Sequence, residues 1–85
     1  MKKGDKIKVT VADGRKLGDS KIGIISFINS NLMVLDFTTI DGKIIKESYT
    51  IVDVLTQDLL KFEKRINNKW ELIKREEIAN VGKLL

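Results

Sequence analysis

The 85-residue sequence contains no cysteine and no histidine. Without cysteine, neither a disulfide framework nor a thiolate zinc site can hold the fold together, so stability has to come from packing or self-association. Without histidine, a Ser-His-Asp triad, a Cys-His pair and an imidazole general base are all excluded by composition. Long apolar runs are missing as well. Met1, Lys2 and Lys3 lead straight into Gly4, Asp5 and an alternating segment, with no stretch of signal-peptide or membrane-spanning length. The expectation is one cytoplasmic domain over residues 1–85 with no membrane association.

The remaining chemistry is thin. Glu76 and Glu77 are the only adjacent carboxylates, and neighbours in sequence point in different directions on a helix or a strand. Asp36, Asp41 and Asp53 lack the spacing of a calcium loop. Gly14, Gly18 and Gly23 are followed by no Gly-Lys-Ser/Thr segment that would cradle a phosphate. No catalytic residue, no metal and no cofactor is therefore expected, and the protein is read as a binding module rather than an enzyme.

What is present is β-structure. The hydrophobic fraction is 42% and the charged fraction 33%, which suits a folded domain. A chain this short supports one core and buries only about three fifths to two thirds of its unfolded surface. Residues 6–11 alternate, with Ile7, Val9 and Val11 on one face and Lys6, Lys8 and Thr10 on the other. Residues 13–21, rich in glycine, aspartate and basic side chains, read as an exposed loop. Residues 22–28 and 32–40 are β-branched runs joined by Asn29-Ser30-Asn31, a hairpin signature. Asp41-Gly42 then turns the chain into a fourth strand over 43–54. The expected core is Ile7, Val9, Ile24, Leu35, Phe37 and Ile51.

The last third admits two readings. Leu55, Leu59, Phe62, Ile66 and Ile73 fit a helical stripe, and Asn68 with Glu71 resembles a capping box. Alternatively, Asn67-Asn68-Lys69 forms a three-residue turn with Asn68 left-handed, setting Ile66 opposite Trp70 and Arg65 opposite Glu71. In that case residues 74–78 make a helical turn leading into a final strand through Ile78 and Val81. The hairpin gives an all-β fold, a small five- to six-stranded antiparallel barrel. The helical reading gives an α+β fold, a four-stranded meander followed by two short C-terminal helices.

The opening Gly4-Asp5-Lys6-Ile7-Lys8-Val9, the segment Lys21-Ile22-Gly23-Ile24-Ile25 after a loop, and the turn-ended strand that follows resemble the small five-stranded barrels of the KOW and Sm-like type. The likeness covers chiefly residues 4–40. It implies a barrel and leaves function open.

Charge is the one functional signal. Lysine outnumbers arginine 13 to 3 and isoleucine is abundant, the bias of an AT-rich genome such as that of a low-GC bacterium or its phage. The net charge of +4 is unevenly spread. Residues 1–21 hold seven basic and three acidic side chains, residues 22–60 two and five, and residues 61–85 seven and four. If the first and last strands pair, as is common in small antiparallel barrels, the two basic ends converge on one face. Lys2, Lys3, Lys6, Lys8, Arg15, Lys16 and Lys21 would then contact phosphate, and aromatic side chains such as Trp70 or Tyr49 would stack on unpaired bases. The competing explanation is that the lysines solubilise exposed strands and Trp70 covers the core beside Ile66. The expected partner is nucleic acid. The alternative is a partner protein, met by a small phage- or plasmid-type regulator through a sheet edge.

Overall fold

The computed structural model describes residues 1–13 and 16–78, without the side chains at 13, 16 and 17. Six strands are present: β1 (Lys6–Asp13), β2 (Lys16–Ile28), β3 (Leu32–Thr38), β4 (Ile44–Thr50), β5 (Leu60–Ile66) and β6 (Lys69–Leu72). They form one antiparallel sheet in the order β4-β3-β2-β1-β5-β6. A helix, α1 (Ile51–Thr56), lies between β4 and β5 in sequence and packs against both. A single helical turn, α2, follows at residues 75–78. No helix among the described residues is long and apolar enough to cross a membrane.

The fold is mostly β, as the alternating pattern implies, but the sheet is not closed into a barrel. Edge strands β4 and β6 do not pair, and α1 occupies the side where closure would occur. The sheet is nevertheless rolled. Tyr49 of β4 meets Phe62 of β5 edge to face, with ring centroids 5.1 Å apart. The first strand pairs with β2 and β5 rather than with the last strand. The two basic ends of the chain still become neighbours, through β1 and β5.

The inner surface of the roll is the core. Ile7, Val9, Ile25, Met33, Leu35, Phe37 and Phe62 fill it, and Ile51 and Val54 from α1, Ile78 from α2 and Ile73 between β6 and α2 cap it. Ile24, expected inside, is 47% exposed while Ile25 is fully buried. The ladder explains the swap. Gly23, opposite Ile7, faces inward, so Ile24 faces outward between Lys6 and Asp36.

Other expectations are corrected as well. The supposed loop over 13–21 is largely strand, because β2 already pairs with β1 at Lys16. Its loop-like composition belongs to a bulged hairpin: the register shifts between Thr10 and Ala12, and Gly18 leaves room for Val11, whose Cβ would lie 3.1 Å from an added methyl. Residues 51–54 are helical rather than the end of a strand. Thr50 caps α1 by accepting from the Asp53 amide (3.2 Å), Ile51 and Val54 are buried one turn apart, and Gln57 ends the helix at φ 51°. The last hairpin exists, with a turn one residue shorter than expected. Asn67 and Asn68 are both left-handed (φ 49° and 66°), as a two-residue type I′ turn requires. Ile66 therefore faces Lys69, and Arg65 faces Trp70. The Asn68-Glu71 capping box is absent, since both residues belong to this hairpin. Ile78 lies in α2 rather than in a strand, and Val81 is outside the described residues.

Candidate nucleic-acid interface

Strand alternation sends one set of side chains into the roll and the other onto the outer face of the sheet. Along one row of that face stand Lys46, Asp36, Ile24 and Lys6, each on the strand next to the last. On the next row Ile22 faces Lys8, and Lys8 faces Glu63. Beyond β1, Arg65 stands opposite Trp70. The result is a groove of about 620 Å³. Ile22 and Ile24 form its floor, Lys6, Arg65, Asn68 and Trp70 lie on one side, and Asp36 and Thr38 lie on the other.

The floor is apolar and wet: Ile22 is 53% exposed and Ile24 47%. The cationic side is organised around the indole. The Lys8 ammonium sits 5.0 Å from the Trp70 ring centroid and the Arg65 guanidinium 5.2 Å. Such contacts are worth about 0.5–1 kcal/mol at exposed sites, enough to orient the cations and weak enough to be exchanged for an anion. Glu63 stands directly across from Lys8. Even so, among the described residues no carboxylate lies within ion-pairing distance of Lys6, Lys8 or Arg65. The opposite side carries an ion pair. Asp36 accepts from Lys46 Nζ through both oxygens, at 2.8 and 3.1 Å. That hydrogen bond holds its carboxyl below the usual carboxylate value.

The basic residues expected at the interface are thus divided. Lys6 and Lys8 lie together on the outer face, and Trp70 joins them there instead of covering the core beside Ile66. Lys2 and Lys3 are exposed just before β1. Lys2 donates its amide to Asp5 Oδ2 (3.1 Å), which ties the lead-in to the strand. Lys21 is on the other face, opposite Val9. Its ammonium is ion-paired with Glu47 and lies 4.3 Å from the Phe37 ring centroid. It is removed from the cluster because strand alternation places odd-numbered residues of this hairpin inward. Arg15 and the Lys16 side chain lie outside the described residues.

Arg65 was missed from sequence. A three-residue turn sets it against Glu71, whereas the Asn67-Asn68 turn sets it against Trp70. Two consecutive asparagines, each tolerant of positive φ, were the available signal.

These features define a class: a small open antiparallel sheet whose outer face offers an apolar groove flanked by cations that have no carboxylate partner among the described residues. Over residues 1–60 the sequence matches the family described as biofilm formation stimulator VEG, and the chain belongs to that family. The match spans β1 to β4 and α1. It includes Lys6, Lys8, Ile22, Ile24 and Asp36, while Arg65 and Trp70 lie beyond it. It supports no assignment to the KOW or Sm-like barrels. No curated protein and no solved structure matches the chain.

Proposed function

We propose that this member of the biofilm-stimulator family is a non-enzymatic, cytoplasmic regulatory module that binds nucleic acid through the outer face of its sheet. The observation that carries this reading is the placement of Lys8 and Arg65 over Trp70, with Lys6 on the same groove, and with no carboxylate partner for these three among the described residues. Cations left uncompensated on a rigid sheet attract phosphate and release its counterions. They do so at little conformational cost, because the indole already orders two of them. The test is a fluorescence-anisotropy titration of labelled DNA and RNA oligonucleotides at low and near-physiological salt. Binding at low salt that weakens as salt rises is expected. A folded sample that binds none of them at low salt defeats the proposal.

A second reading has its own observation. Ile44 and Ile45 on edge strand β4 are 63% and 50% exposed, and Ile40 just before it is fully exposed. An apolar strand edge is suited to pairing with a partner protein. Recovery of one specific protein from a nuclease-treated lysate, lost on Ile45→Lys, would favour this reading.

A further inference from the structure

We infer that the outer-face groove takes unpaired nucleotides in preference to duplex, with a base lying over Ile22, Ile24 and Trp70 and the adjoining phosphates on Lys6, Lys8 and Arg65. This rests on the nucleic-acid reading above and makes it specific. A duplex hides the faces of its bases and offers a protein phosphates, sugars and base edges. For that ligand charge alone would serve, and half-exposed isoleucines beneath the charges would gain nothing. Here the cations border an apolar floor and an indole, the combination that covers a base face and neutralises its phosphate together.

The charge across the groove is also polar in direction. Lys6, Lys8 and Arg65 belong to the β1, β5 side, whereas Asp36 stands on β3 across Ile24. The Asp36 carboxylate is already ion-paired with Lys46, so this side presents a balanced pair rather than unpaired cations, and Thr38 beside it in the groove can donate or accept hydrogen bonds. A bound strand therefore runs its backbone along β1 and points its bases toward β3. A nucleotide has that asymmetry, anionic on one side and hydrogen-bonding on the other. A uniformly anionic surface does not.

The chain has one tryptophan, so its tryptophan emission reports on this groove alone. The whole protein is titrated with single-stranded DNA, single-stranded RNA and a blunt hairpin duplex of the same base composition, following tryptophan emission and the anisotropy of a labelled end. Tighter binding of single strands than of duplex is expected, with quenching of Trp70 by single strands only. Trp70→Ala should lower single-strand affinity roughly tenfold and leave duplex binding unchanged, while Trp70→Phe retains most of it. Equal affinity for duplex and single strand overturns the inference and leaves the nucleic-acid reading standing. So does single-strand binding with unaltered tryptophan emission in the wild-type protein, a result that needs no variant to fold. Absence of binding to all three at low salt overturns the reading itself and directs attention to a partner protein. The DNA and RNA arms decide which strand the groove prefers.

Discussion

Gly23 faces Ile7 across the first hairpin, and the space its missing side chain leaves is filled by the ring of Phe37. A Cβ at this position would lie 2.8 Å from Phe37 Cε1 and 3.0 Å from Cδ1, closer than carbon atoms approach. The ring is buried and cannot swing aside, so Gly23→Ala should destabilise by about 1–3 kcal/mol through overpacking. Phe37→Ala should cost about 3–5 kcal/mol through the cavity it leaves. The two defects are complementary, and in chemical denaturation the double variant should be more stable than the sum of the single losses allows. Strict additivity would show that the ring does not rest on Gly23. Tyr49 offers a second residue-scale test. Burial against Phe62, reinforced by the charge of Glu47, pushes its phenol up from 10.0 to about 12. In the unfolded chain the phenol ionises near 10, so stability is unaffected below that pH and falls as pH rises from 10 toward about 12. Tyr49 is the only tyrosine, and tyrosinate absorbance should report its ionisation directly. A midpoint near 10 in the folded protein would place the ring in solvent.

Elements were legible where one local signal dominated and misread where two competed. Period-two alternation at Lys6 to Val11 and the Asn-Ser-Asn turn after Ile28 agree with the ladder, because hydrophobic alternation and turn chemistry point to the same structure there. At Ile51-Val52-Asp53-Val54 β-branched propensity points to a strand. Capping and burial at a spacing of three residues prevailed in the fold. At Ile22 to Ile25, consecutive apolar residues gave no phase, and only the inward Gly23 fixes which isoleucine is buried. The groove inherited both errors: Ile24 was assigned to the core and Arg65 to the wrong partner. The Asn67-Asn68 turn controls that second assignment and can be tested alone. Both residues hold positive φ, a conformation that costs an ordinary L-residue about 1–2 kcal/mol. Asn68→Ala should destabilise by about 1 kcal/mol, while Asn68→Gly should be neutral or stabilising, since Asn-Gly is a favoured type I′ pair. Thermal melts of the two variants check this. Equal loss in both would mean that the asparagine side chain, rather than its backbone, holds the turn.

Across the whole molecule, ion pairing balances part of the positive charge. Lys21 and Lys46 are neutralised by Glu47 and Asp36, and Lys64 is paired with Glu77 at 3.2 Å where α2 meets β5. Around the groove, the cations without a carboxylate among the described residues are Lys6, Lys8 and Arg65, so the electrostatic part of binding should be correspondingly small and countable. If Lys6, Lys8 and Arg65 each neutralise one phosphate of a single strand, the logarithm of affinity should fall against the logarithm of salt with a slope of about −2. A fourfold rise in salt would then weaken binding about 15- to 20-fold. Reversal of Lys6 to Glu should reduce that slope by roughly 0.7 and weaken all sequences alike, because phosphate contacts carry no base information. The same composition makes a prediction about pH. The chain has no histidine, and carboxylates, lysines and arginines ordinarily titrate far from neutrality. At constant ionic strength, affinity should therefore change less than about twofold between pH 6 and 7. Anisotropy titrations over a grid of salt and pH measure both dependences with one labelled oligonucleotide. A slope near zero would remove the cations from the interface and leave the apolar floor as its only driving force. A strong pH dependence would assign the proton to the nucleic acid or to a terminal amine rather than to a side chain of the groove.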